Sequence, residues 1–92
     1  MASSTDLLQG TLDLLVLKVL ALGPLHGWGV AQRITDMSEQ LLRVNQGSLY
    51  PALHRLEGRG LVDADWAMSD TFRRVRVYRL TAAGRRCLAK ET

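Results

Sequence analysis

The chain has 92 residues, 47% of them hydrophobic and 23% charged, with a net charge of +3 and a single cysteine, Cys87. That is room for one small domain, and it excludes a disordered chain and an intramolecular disulfide framework. The apolar run Leu14 to Leu22 is broken by Lys18 and too short to span a bilayer, and the start Met1 to Asp6 lacks the marks of a signal peptide, so a soluble cytoplasmic protein is expected.

The first helix is expected over about residues 6–22, starting at Asp6 or Thr11. Leu7, Leu8, Leu12, Leu14, Leu15, Val16, Leu17, Val19 and Leu20 leave it almost no polar face. A helix apolar all round must be buried all round, and a chain this small can hardly surround one. The simplest cover is a second copy in a two-fold dimer.

Gly23-Pro24 ends this helix, and Leu25-His26-Gly27-Trp28-Gly29 is expected to form the turn into the next. Val30, Ile34, Met37 and Leu41 keep helical spacing, which predicts a second helix over about residues 28–40. A connection through Leu42-Arg43-Val44-Asn45 leads to a third helix over 46–58. There Leu49, Leu53 and Leu56 recur at i, i+4 and i+7, one buried stripe. Gln46, Ser48, Tyr50, His54 and Arg55 lie largely off that stripe, and most can hydrogen-bond to base edges or phosphates. Gly58-Arg59-Gly60 closes the helix.

Residues 61–80 read as a hairpin. Val62, Ala64 and Trp66 alternate with Asp63 and Asp65, the period of a half-buried strand. Ala67 to Thr71 forms the connection, and Phe72 to Leu80 returns, with Val75 and Val77 alternating with arginines. Thr81 caps a last helix ending near Lys90, in which Gly84 is a weak point and Cys87 and Leu88 are the apolar content.

The charge is unevenly placed. Residues 1–45 carry −1 and residues 46–92 carry +4, with six arginines from Arg73 to Arg86 and no acid between them. A basic surface of this kind can be no more than a solvated face. Here it falls on the hairpin, next to a polar helix, where phosphate contacts would be needed. The expected fold is therefore mainly α with a small β-hairpin: a single winged helix-turn-helix domain over residues 1–92. Its third helix enters the major groove and its wing touches the neighbouring backbone.

Taken together, these motifs make the chain resemble the PadR family of bacterial transcriptional regulators. The resemblance rests on Gly10-Thr11-Leu12-Asp13-Leu14-Leu15-Val16-Leu17, His26-Gly27-Trp28-Gly29-Val30 and Gly47-Ser48-Leu49-Tyr50-Pro51-Ala52-Leu53-His54-Arg55-Leu56-Glu57. It also rests on Gly60-Leu61-Val62, Trp66 and Tyr78-Arg79-Leu80-Thr81-Ala82-Ala83-Gly84-Arg85. Trp66 and the arginine-rich return strand resemble the short PadR-like type. The resemblance implies a homodimeric repressor that binds a pseudo-palindromic operator and is released by a small effector. It puts Gln46, Ser48, Tyr50 and His54 at the DNA, with Arg73, Arg74 and Arg76 in the wing, and Gly47 and Arg55 of the same helix are expected at the DNA beside them. The first and last helices would build the dimer, through Leu8, Leu12, Leu15, Cys87 and Leu88. Two departures stand out. Val77 precedes Tyr78 where the family has an aromatic pair, and the chain stops at Thr92, short of the family's usual C-terminal helix. The dimer is therefore expected to lean on the first helix.

Several residues have two readings. Tyr50 either donates to a phosphate or packs its ring beneath the helix, and His54 either reads a base or hydrogen-bonds locally. Arg74 and Arg76 share one side of the return strand and Arg73 the other, so the three are not expected to reach DNA together. Trp28 and Trp66 suggest contact with a small aromatic effector. The plainer reading, Trp66 in the core and Trp28 filling a helix junction, is preferred. His26, His54 and Cys87 are too scattered for a metal site, and no nucleophile–base pair, carboxylate dyad or phosphate loop is present. No catalysis and no cofactor are expected. The rival function is a winged-helix protein–protein interaction module.

Overall fold

A computed structural model describes the backbone of residues 4–38 and 46–91, and the side chains of residues 10–38 and 47–90. The elements follow in the order α1 (Ser4–Leu20), β1 (Leu25–His26), α2 (Gly27–Met37), α3 (Gln46–Gly58), β2 (Val62–Met68), β3 (Arg74–Leu80) and α4 (Ala82–Glu91). The connection over residues 39–45, and with it the expected continuation of the second helix past Ser38, lies outside the described residues.

Three helical stripes meet in the core. Val16, Leu17, Val19 and Leu20 of α1 pack with Val30, Ala31 and Ile34 of α2 and with Leu49, Leu53 and Leu56 of α3. The base of the hairpin closes it with Leu61, Val62, Tyr78 and Leu80. The expected α3 stripe is fully buried. The all-round burial expected for α1 narrows, however, because this one chain covers residues 16, 17, 19 and 20. Leu12 and Leu15 stay half-buried against the core, as do Cys87 and Leu88 of α4. α1 also ends two residues earlier than expected. The Ala21, Leu22 and Gly23 N–H groups bond back to Leu17, Val19 and Leu20, which tightens the last turn, and Leu22 is left exposed.

The segment expected to be a plain turn into α2 contains a strand. Leu25 and His26 pair with Tyr78 and Val77, giving a three-stranded antiparallel sheet in the order β1-β3-β2. Two residues are too few to show an alternation. His26 then caps α2, its Nδ1 accepting from the Gly29 N–H at 2.9 Å.

α3 ends in a Schellman motif, with Leu61 N–H bonded to Leu56 O, Gly60 N–H to Glu57 O, and Gly60 at φ +75. The motif turns the chain straight into β2. At the other end of the hairpin, Thr81 Oγ1 accepts from the Gly84 N–H at 3.0 Å and donates to Gly60 O at 2.7 Å. Gly84, a weak point by propensity, has a packing purpose. A Cβ there would overlap the Leu61 carbonyl oxygen and crowd Leu80 Cδ1, so only glycine lets α4 lie this close.

Candidate nucleic-acid interface

With residues 49, 52, 53 and 56 buried, the opposite stripe of α3 is Gly47, Pro51, His54 and Gly58, at i, i+4, i+7 and i+11, and all four are exposed. This stripe is smooth, two glycines and a proline with one hydrogen-bonding side chain, His54. Ser48 is exposed on one shoulder and Tyr50 on the other. The Tyr50 ring rests on Gly27 at the start of α2, while 48% of the residue stays exposed. The side chains of Gln46 and Leu8 lie outside the described residues.

Arg55, expected at the DNA, is ion-paired within the chain. Its Nη2 donates to Asp13 Oδ1 of α1 at 2.8 Å, so it ties α3 to the first helix. Two positions on, Glu57 reaches the other way and accepts from Arg76 Nη2 of β3 at 2.7 Å. α3 is thus held on both flanks by ion pairs with its smooth stripe outward.

The wing sorts its arginines by face. In the β2–β3 register, Trp66 lies opposite Arg76 and Met68 opposite Arg74, while Asp63 lies opposite Arg79. Side chains alternate across the sheet, so Trp66, Arg74 and Arg76 share one face. Arg79 sits on the other, within 3.8 Å of Asp63 and 3.4 Å of Asp65. The run that reads as uniformly basic is therefore basic on one face and neutralised on the other.

Trp66 does not pack in the core, contrary to the preferred reading: it is 53% exposed. β2 is buried only at its base, because the strand runs out past the domain body. The Arg74 guanidinium lies 4.6 Å and that of Arg76 5.7 Å from its ring centroid, close enough for cation–π attraction. Trp28 is 63% exposed and fills no junction. It lines, with Tyr50, Trp66, Arg73, Arg74 and Arg76, an open groove of about 460 Å³ between the start of α2 and the wing. Arg73 reaches this groove too, against the expectation from alternation. It belongs to the turn before β3, where strand alternation does not apply.

A second groove, about 660 Å³, runs between α3 and β3 and is lined by Tyr50, Pro51, His54, Glu57, Arg76 and Tyr78. Tyr50 and Arg76 line both grooves and form the ridge between them. Burial pushes the Tyr78 hydroxyl pKa above its ordinary value, with Arg76 opposing. Among the described residues no group of His, Cys, Asp and Glu could hold a metal ion, and no helix is long and apolar enough to cross a membrane.

Sequence reasoning missed Pro51 and Gly58 as part of the outward stripe, the clamp by Glu57, and the exposed tip residues Met68 and Phe72. The i, i+4, i+7, i+11 spacing from Gly47 would have found the first two.

A three-helix core with a two-stranded wing beside an outward α3 defines a winged-helix domain. The Transcriptional regulator PadR-like family matches residues 16–90, and the chain belongs to that family, whose members are transcriptional regulators and not enzymes. It is 42% identical over 66 residues to a transcriptional regulator of Mycobacterium tuberculosis, covering 72% of this chain and 58% of that protein. The chain thus spans little more than half the length of that relative. Its fold is similar to that of a transcriptional regulator from Clostridium thermocellum, with a TM-score of 0.82 and 26% identity over 99% of this chain and 84% of that one. It is also similar to that of Bacillus subtilis PadR, solved in complex with operator DNA. There the TM-score is 0.76 at 23% identity, covering 86% of this chain and 45% of that one.

Proposed function

We propose that this protein is a cytoplasmic, sequence-specific DNA-binding regulator, a repressor that works as a two-fold dimer and is released by a small effector. The observation that carries the reading is the joining of two surfaces at Tyr50 and Arg76. The smooth stripe of α3, with His54 at its centre, continues into a groove lined by Arg73, Arg74 and Arg76. In this reading α3 lies in the major groove and His54, flanked by Ser48, reads base edges. Arg73 and Arg74 of the wing and the Tyr50 hydroxyl hold the adjoining phosphates, adding affinity with little sequence preference.

The half-buried patch of Leu12, Leu15, Cys87 and Leu88, where α1 meets α4, supports the dimer reading. A two-fold dimer would set two copies of α3 about one DNA turn, ~34–36 Å, apart on a pseudo-palindromic site. The aromatic groove of Trp28 and Trp66 supports the effector reading. A flat aromatic anion stacked there beside Arg74 would occupy the place of a DNA strand. DNA and effector would then exclude each other.

The test is fluorescence anisotropy of the protein on a duplex from its own promoter and on a scrambled duplex, over a range of salt. Preference for the promoter, weakening steeply with salt, is expected. Equal, weak binding to both duplexes would overturn the reading and favour a protein–protein interaction module.

A further inference from the structure

The turn at the tip of the wing holds an aromatic residue where the fold has no use for one. Phe72 is 86% exposed and adopts φ 59, the left-handed region, alone among the described non-glycine residues. That conformation favours glycine or asparagine and is strained for a bulky side chain. The turn is nevertheless well fastened. Ser69 N–H donates to Arg73 O at 2.8 Å and Phe72 N–H to Ser69 O at 3.0 Å. The Ser69 hydroxyl accepts from Arg73 N–H at 3.2 Å and lies 3.0 Å from Thr71 Oγ1. Within this fastened turn the ring stays in solvent. Met68, at the end of β2, is exposed too.

We infer that Phe72 is a wedge that enters the DNA minor groove beside the major-groove segment faced by α3. The inference rests on the DNA-binding reading above and deepens it. Charge selects the occupant: Arg73 and Arg74 follow Phe72 in the chain, are exposed and form no ion pair with a described residue, against one acid in the turn, Asp70. Position agrees, because Ser69, Thr71 and Arg73 of the turn line the same groove as Tyr50 of α3. A strand of seven residues extends roughly 20 Å, enough to carry the tip past the first phosphate row. Apolar side chains accompanied by arginines are what minor-groove proteins use to part a base step, and pyrimidine–purine steps part most easily. Phe72 thereby contributes sequence preference through deformability, at base pairs that α3 does not touch.

The experiment compares the full chain with Phe72→Gly and with Phe72→Leu on the promoter duplex. Binding is read by anisotropy, and bending by energy transfer between dyes at the duplex ends. Glycine relieves the strain, so the melting temperature of Phe72→Gly should equal or exceed that of the parent. Its promoter affinity should fall at least about tenfold, the scale of one lost base–aromatic contact, with reduced bending and an unchanged salt slope because no charge is removed. Phe72→Leu, still a wedge, should recover part of both. Promoter affinity and bending of Phe72→Gly within twofold of the parent would overturn the inference while leaving the DNA-binding reading intact. Loss of self-association by Phe72→Gly without DNA would also overturn it, since the ring would then cover a second copy. If the parent itself shows no promoter preference, the failure lies in the DNA-binding reading.

Discussion

The Arg76 guanidinium and the Glu57 carboxylate meet at 2.7 Å, and this pair fastens the wing to α3. Arg76 also leans on Trp66, so helix, ion pair and indole form one connected unit. Both charges are about one-third exposed, so the pair should contribute less than about 1 kcal/mol to stability. Its importance is to register. Glu57→Gln should leave the melting temperature nearly unchanged while releasing a positive charge toward DNA. Binding to scrambled duplex should strengthen, the salt slope should steepen by up to about one counterion, and the promoter-to-scrambled ratio should fall. Salt titrations of both duplexes check this; an unchanged ratio would show that the pair does not set the wing.

His54 is the one hydrogen-bonding side chain on the outward stripe of α3. His54→Ala should lower promoter affinity by about 1–3 kcal/mol, the range of a good base contact, and leave scrambled-duplex affinity unchanged. Equal loss on both duplexes would assign His54 to phosphate instead.

Gly84→Ala sets two effects against each other. Helix propensity favours alanine by about 1 kcal/mol, but its methyl would overlap the Leu61 carbonyl oxygen. The obstacle is backbone and cannot swing aside, so the clash should win, with a net loss of about 1–3 kcal/mol by urea denaturation.

Leu88 of α4, like Leu12 and Leu15 of α1, is half-buried against the core. Leu88→Arg should shift the protein toward monomer in sedimentation velocity and weaken promoter binding far more than scrambled binding. A variant that stays dimeric would place the interface elsewhere.

Tyr78 gives the fold an alkaline limit. Its pKa is raised above 10.0 in the folded chain, first by burial, so the folded state holds the phenolic proton more tightly than the unfolded state. Stability is then complete below about pH 10 and lost as pH rises through the raised value. Melting curves should show that decline, and Tyr78→Phe should reduce it.

Much of the architecture was legible because burial in α3 and the hairpin base is periodic. Leu49, Leu53 and Leu56 could share only one helical face, and Gly60 could only end it. The third helix begins and ends where the spacing places it, and the motifs from Gly10 to Arg85 suffice for the family. β1 escaped notice because two residues carry no period.

Local pattern alone thus determined the order of helices and hairpin, the buried stripe of α3 and the basic character of the C-terminal half. The tertiary structure decided which charges are available: Arg55 was claimed by Asp13, Arg76 by Glu57, and Arg79 by Asp63 and Asp65, each across a distance in sequence that no local pattern encodes. It also took both tryptophans out of the core and set them around one groove. An amphipathic spacing tells which side of an element is turned inward. Whether the outward side meets solvent, an opposite charge or an open groove depends on which other elements fold against it.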